Sequence, residues 1–300
     1  MRAIGEPTPD AGPATYDIEV DLDNPNMSQT HVVLLTGEGK DVLEVGTATG
    51  ATTRVLKERG CRVTGVEVDP DAAERARPHC ERMLVGDIEA MDLAEAFGAQ
   101  RFDVIIFADV LEHLVHPERI LADVRGLLSA DGAVVASIPN VAHASVRLAL
   151  LAGRFDYTDR GLLDRTHLRF YTRGTVDELF RDTGYAIERW ERVALDVVDS
   201  DVEVRSDEIP PAIVRRVVAE PDALTYQFVV RARPGVGPAL EPPVGPPLAA
   251  LWDLREPGPA RRAARRLASV RRREGWRGIA RRAATPWRWL PGLLRGRVGR

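Results

Sequence analysis

The chain has 300 residues, 44% of them hydrophobic, with 41 Lys and Arg against 45 Asp and Glu and a formal net charge of −4. This suits one large domain, or one domain with appendages, and no stretch reaches the ~18 apolar residues a membrane helix needs. The charge is divided unevenly: residues 255–300 hold fifteen Arg and two Glu, a local +13, so the remainder carries −17. That excludes an overall electrostatic affinity of the main domain for nucleic acid.

The N-terminal residues 1–28 read as an irregular arm. The stretch from Met1 to Asp21 is acidic and lacks the basic and apolar regions of a signal peptide, so a cytoplasmic protein is expected. Cys61 and Cys80 are expected to be reduced thiols in that compartment. Ser28 is a candidate N-cap for a helix carrying Val32, Val33 and Leu35. Strands and helices then alternate. Strand Asp41–Val45 leads to a helix over Gly50–Arg59, and strand Arg62–Glu67 to a helix over Asp71–Arg77. A third strand near Arg82–Val85 is followed by a helix over Met91–Phe97 and strand Asp103–Ala108. Pro117 opens the next helix as an N1 proline, with Leu121, Val124 and Leu128 on its inner face. Asp131-Gly132 turns the chain into strand Ala133–Ile138. An insertion from Pro139 to about Tyr171 includes a helix over Val141–Leu151. Helix Thr175–Thr183, ended by Gly184, precedes strand Ala186–Val193, and a last strand starts at Thr225 after a polar excursion through Pro210-Pro211. The alternation predicts a Rossmann-like, doubly wound, mainly parallel α/β sheet, and the final pair of strands an antiparallel hairpin at one edge.

The segment Asp41-Val-Leu-Glu-Val-Gly-Thr-Ala-Thr-Gly-Ala-Thr carries the main functional signal. Gly46 permits a sharp turn and close backbone approach to a ligand, and the helix behind it offers free N–H groups. Glu44 at the strand tip repels phosphate and suits an ammonium or sulfonium, which points to a cationic nucleoside. The dinucleotide fingerprint Gly-x-Gly-x-x-Gly is poorly matched by Gly46, Ala48 and Ala51, so a nicotinamide-dependent oxidoreductase is disfavoured. Glu67, about twenty residues on, is placed to accept both hydroxyls of a ribose. Asp87, in Gly86-Asp87-Ile88, can accept from an adenine amino group, and a fourth strand ends in Asp109-Val-Leu-Glu112-His113.

At these residues, from roughly Gln29 to Ala232, the chain resembles the class I S-adenosylmethionine-dependent methyltransferases. The resemblance implies S-adenosylmethionine as methyl donor. Gly46 and Gly50 would border its methionine part, Glu67 hold the ribose, Asp87 the adenine, and Asp109 lie near the methionine ammonium. Glu44, Thr47, Val68 and Ile88 complete the expected cofactor set. Ala48 departs from the Gly found in many members.

Methyl transfer is an in-line displacement, so the protein must align the acceptor, exclude water and, for a hydroxyl, remove a proton. His113, His143 and His167 are candidate bases, with Glu112 orienting His113. Asp109-x-x-Glu112-His113 plus His167 is also similar to the cation site of small-RNA 2′-O-methyltransferases, and ubiquinone-pathway O-methyltransferases carry a related Glu-His. Because Asp109 is shorter than the Glu of that pattern, no resident metal is expected. Ser137-Ile-Pro-Asn140-Val-Ala-His143-Ala-Ser-Val-Arg147 and Leu163-Asp-Arg-Thr-His167-Leu-Arg-Phe-Tyr171-Thr resemble segments of bacterial methyltransferases of glycan pathways. That resemblance implies O-methylation of a sugar hydroxyl in a cell-surface glycan or lipid-linked precursor, hence a place in polysaccharide biosynthesis. It would bring Arg165, His167 and Arg169 to the acceptor. An RNA 2′-O-methyltransferase and a non-catalytic recruiting module that binds S-adenosylmethionine are the alternatives.

Residues 29–233 are thus the expected methyltransferase domain. Residues 234–260 read as a linker, with eight prolines and four glycines between Pro234 and Pro259. The tail, 261–300, mixes Arg with Trp276, Trp287 and Trp289. It suits a solvated extension, an anionic surface at the inner membrane face, or nucleic acid, in that order.

Overall fold

Two successive positions on each inner strand point to opposite faces of the sheet, and here both faces are buried. On β4 (Phe102–Ala108), Ile105 and Phe107 enter one apolar cluster while Val104 and Ile106 enter another. On β1 (Asp41–Val45), Leu43 and Val45 divide from Val42 in the same way. Helices α1 (Ser28–Thr36) and α2 (Ala51–Glu58) cover the second face through Val32, Val33, Val55 and Leu56. Helices α5 (Pro117–Val124) and α7 (Arg173–Asp182) cover the first through Ile120, Leu121, Val176 and Phe180. The computed structural model describes residues 19–205 and 209–237, and every element below lies within them.

The remaining strands are β2 (Arg62–Glu67), β3 (Arg82–Val85), β5 (Leu128–Pro139), β6 (Tyr185–Ala194) and β7 (Thr225–Pro234), and the short helices α3 (Pro70–Ala76) and α4 (Leu93–Phe97) flank β3 in sequence. Together the seven strands form one sheet in the order β3-β2-β1-β4-β5-β7-β6. β1 to β5 pair in parallel, and β7 is antiparallel to both of its neighbours. The Rossmann-like α/β class expected from sequence is what forms. The chain leaves β1 toward β2 and β3 on one side and returns to β4 and β5 on the other. The crevice at the carboxyl ends of β1 and β4 is therefore the topological switch point, where open α/β sheets bind ligands.

Several local expectations are corrected. Ser28 is the first residue of α1, not its cap; Met27 precedes it with no side-chain capping bond. Leu128 belongs to β5 rather than to the helix before it. Asp131-Gly132 forms no turn but an irregularity within β5, where Phe102 pairs with Leu128 but Val104 with Ala133. The helix of the insertion, α6, starts later, at Ala144–Leu151, because His143 caps it. The polar excursion contains a helix, α8 (Pro211–Val218), whose N1 proline marked it. The terminal strands do form an antiparallel pair, but β7 inserts between β5 and β6, so β6 is the edge. The end of the arm is bound rather than loose. Val20 and Leu22 pack on the core, and the Asn26 side chain exchanges two 2.7 Å hydrogen bonds with the backbone of Ala194. Cys61 and Cys80 are free. Among the described residues no helix is long and apolar enough to cross a membrane. The tail 261–300 and most of the linker 234–260 lie outside the described residues, as do residues 1–18 of the arm.

Candidate active site

The turn after β1 is built by backbone that few residues tolerate. Gly46 has φ +75° and donates its N–H to Val66 at 2.8 Å; a Cβ there would stand 2.6 Å from Val110 Cγ2. Val110 follows β4, so this contact closes the switch point from both sides. Gly50, at φ +84°, caps α2, and a Cβ would meet the Ala76 backbone at 2.8 Å. Ala48 takes φ +46°, a left-handed conformation that costs an L-residue about 1–2 kcal/mol. It is held there by a 2.7 Å hydrogen bond from its N–H to Glu67 Oε2. Thr47 is buried, and its Oγ1 has no hydrogen-bond partner among the described residues. An unpaired hydroxyl sealed in such a turn is a donor and acceptor in want of a ligand.

The strand-end carboxylates diverge in their surroundings. Glu44 does sit in β1, but it is sealed in the interior and accepts from Thr53 Oγ1 at 2.7 Å. Burial pushes its carboxyl up to about 7; Thr53 opposes that rise and the nearby charge of Glu67 adds to it. It is thus committed to tying α2 to β1 rather than standing open to a ligand. Glu67 ends β2, accepting from Ala48 N–H with one oxygen and from Asp69 N–H at 3.1 Å with the other. Each oxygen keeps a second lone pair for a further donor such as a ribose hydroxyl. Asp87 is exposed after β3 and accepts from the Glu89 N–H at 2.8 Å. Beside these, Val68 holds an apolar side chain 66% exposed, while the Ile88 side chain is part of the core and can offer a ligand only its backbone.

Asp109 ends β4 at φ +56°. Its Oδ1 accepts from Ser137 Oγ at 2.9 Å and from Gln227 Nε2 at 2.7 Å, so β5 and β7 both fix it. Burial raises its pKa, against the opposing effects of Ser137, His113 and Gln227. The next residues form a 3-10 turn, Leu111–His113, rather than an α-helix. Glu112 is 1% exposed, and neither carboxyl oxygen has a hydrogen-bond partner among the described residues. Burial first, then the charges of Asp109 and Asp164, push its pKa well above the usual carboxylate range. His113 Nδ1 lies 3.2 Å from both the carbonyl and Oγ1 of Thr166; because that hydroxyl donates to Asp164 at 2.6 Å, the imidazole is the donor at Nδ1 and presents Nε2 as acceptor. His167 is half-buried; burial and the neighbouring His113 lower its pKa, so it is neutral at pH 7. The two imidazole rings meet edge to face at 4.8 Å, and ligand atoms of Glu112, His113 and His167 all lie within 4.8 Å of one another. The loop bearing His167 is clipped to the turn by Leu168 and Arg169 N–H groups, both donating to the Glu112 carbonyl.

The structure thus brings His113, His167 and Glu112 together beside Asp109. It does not bring His143 there. That imidazole is fully buried, hydrogen-bonded by Ser145 Oγ and to the Leu195 carbonyl at 2.8 Å each, and caps α6. Arg165 is spent on exposed Asp159 at 2.8 Å and Arg169 on the Val115 carbonyl at 2.6 Å. Residues with no sequence signal complete the site: Thr166, which sets the His113 tautomer; Gln227, 118 positions from the Asp109 it holds; and Glu89, which accepts from the Val115 and His116 N–H groups.

This strand order, with strand-end acids and a glycine turn at its switch point, defines a Rossmann-like methyltransferase fold. The family model described as "Methyltransferase domain" matches residues 24–189, and the chain belongs to that family. It is 29% identical over 157 residues to a ubiquinone biosynthesis O-methyltransferase of Psychrobacter arcticus, covering 49% of this chain and 59% of the relative. It is 31% identical over 112 residues to the protein of the same name from Coxiella burnetii (strain Dugway 5J108-111), covering 35% and 46%. The chain therefore spans about half the length of these curated relatives. The CcbJ methyltransferase of Streptomyces caelestis is similar in structure with a TM-score of 0.49 at 17% identity, covering 75% of this chain and 96% of that one.

Proposed function

We propose that the chain is an S-adenosylmethionine-dependent methyltransferase acting on a hydroxyl oxygen, and that the hydroxyl belongs to a sugar of a cell-surface glycan or a lipid-linked precursor. One observation carries the oxygen reading: two imidazoles stand beside a buried acid, unpaired among the described residues, at the carboxyl end of β4. When bound, S-adenosylmethionine supplies a methyl group already activated by its sulfonium. The residues at the switch point fit it. Gly46 and Gly50 give the turn its left-handed backbone, Thr47 Oγ1 lacks a partner among the described residues, and Glu67 has lone pairs to spare. Asp87 and Val68 stand open at the strand ends where the adenine is expected, and Ile88 would contribute its backbone.

The chain's own task is then to align the acceptor and take its proton. His113 presents Nε2, and neutral His167 stands edge-on to it, so either can receive the hydroxyl proton. Glu112 stands beside the imidazolium so formed, its carboxyl within 4.8 Å of the ligand atoms of both rings. The relatives named for O-methylation support oxygen as the acceptor atom, and the likeness of the insertion to glycan-pathway enzymes supports a sugar. Residues 29–233 are the catalytic unit in this reading, with 261–300 as a cationic tail for an anionic inner membrane surface.

The same trio favours a second reading. One carboxylate and two imidazoles form a donor set for a divalent cation, which Glu112, His113 and His167 would hold. Such an ion supplies Lewis-acid activation, as for a ribose 2′-hydroxyl of RNA. The test is transfer of labelled methyl into a host-cell extract sorted into glycan, lipid, RNA and protein, with the His113→Ala/His167→Ala double variant as control. Label in glycan or lipid-linked sugar, lost in the control, supports the proposal. Label in RNA supports the second reading. No label in any fraction refutes both and favours a non-catalytic recruiting module.

A further inference from the structure

Beyond the two histidines the site continues as a row of rings that the cofactor half does not require. His167 meets Phe170 edge to face at 6.1 Å between centroids, Phe170 meets Phe155 at 5.8 Å, and Phe155 meets Tyr157 at 5.5 Å. Phe170 is footed on a small core formed by Val146, Leu162 and Leu163. Exposure rises outward: Phe155 is 37% and Tyr157 55% exposed. A single exposed apolar side chain is ordinary, but a contiguous row that ends on two candidate bases calls for a ligand.

The row is held rigid. Thr158 N–H donates to the Leu163 carbonyl at 2.9 Å and Arg165 N–H to the Thr158 carbonyl at 3.0 Å, closing the loop behind Tyr157. Asp201 accepts from Leu162 N–H at 3.1 Å and from Tyr226 OH at 2.6 Å, pinning the same loop to β7. A preorganised aromatic surface loses little entropy when a flat ligand settles on it.

We infer that this row is the acceptor subsite. It takes a hydroxyl-bearing ring by its flat apolar face, either a phenol or the C–H face of a pyranose, with the hydroxyl turned toward His113 and His167. The direction of the hydroxyl rests on the methyltransferase reading; the ring-binding surface does not.

The test uses the full chain with S-adenosylhomocysteine present and two probes, catechol and methyl β-D-glucopyranoside, titrated by saturation-transfer NMR. Calorimetry follows S-adenosylhomocysteine alone. The expected result is that one probe binds, that Phe155→Ala and Tyr157→Ala each weaken it about three- to tenfold, and that S-adenosylhomocysteine affinity does not change. Both side chains are exposed enough for the variants to fold. Binding of catechol assigns the phenol, and binding of the glucoside the sugar. No binding of either ring, or equal binding by wild type and both variants, overturns the inference. A wild type that binds a ring through these residues but not S-adenosylhomocysteine would sink the methyltransferase reading and leave the subsite standing.

Discussion

Replacing Glu44 by Gln should change the pH dependence of stability more than stability itself. Folded, the carboxyl is lifted from 4.5 to about 7, chiefly by burial. A group raised in the native state favours folding while it is protonated. Its contribution is complete below about pH 4.5 and is lost as pH rises through about 7. The distance between the two values corresponds to about 3 kcal/mol. Wild type should lose that much from this one residue between pH 4.5 and 8.5, because a charge must then be carried in the sealed interior beside Glu67. Gln cannot ionise, and its amide oxygen still accepts from Thr53 Oγ1. The variant should match wild type at pH 4.5, or fall short by about 1 kcal/mol through a less well-fitted hydrogen bond. At pH 8.5 it should exceed wild type by about 2–3 kcal/mol. Urea unfolding at the two pH values, analysed with a shared slope, reads this directly. An offset between variant and wild type that is the same at both pH values would refute the burial argument and return Glu44 to the role of an open counter-ion.

Three further outcomes follow from the site. Gly46→Ala combines a left-handed φ with a 2.6 Å approach to Val110; it should cost about 2 kcal/mol or more in thermal or urea unfolding and abolish S-adenosylhomocysteine binding. Ala48→Gly should be neutral or stabilise by up to about 1 kcal/mol, because relief of the left-handed strain outweighs the added freedom of the unfolded chain; destabilisation beyond that would contradict the assigned conformation. Burial holds the folded pKa of His167 below its usual 6.5, so the acid limb of the methyl-transfer pH profile should fall below that value, and His167→Ala should remove it or move it.

The central strands are legible because short runs of β-branched and apolar residues, buried on both faces, stand between turn signals. Asp41–Val45 and Arg62–Glu67 have the observed limits, and the strand-end acids followed from them. Helix limits drifted where the deciding contact was not local. His143 delays α6 by capping it, and Leu128 was drawn into β5 by pairing with Phe102. Glu112 and His113 are neighbours in sequence, and the turn that carries them, Leu111–His113, is 3-10 rather than α-helical. The meeting with His167 depends on a loop clipped to the Glu112 carbonyl by backbone bonds that leave no trace in residue type. Glu44 was placed correctly on its strand, but its closure by Thr53, one side chain from the next helix, is a matter of packing. The same holds for Gln227, which reaches Asp109 from the last strand.

Cofactor binding at the switch point is read by calorimetric titration of the full chain with S-adenosylhomocysteine, alongside Glu67→Ala and Thr47→Val. Wild type should bind one-to-one, weakened at least about tenfold by Glu67→Ala and measurably by Thr47→Val, since each variant loses hydrogen bonds to the ligand. No binding by wild type, or binding that both variants leave unchanged, would contradict a cofactor site at the switch point.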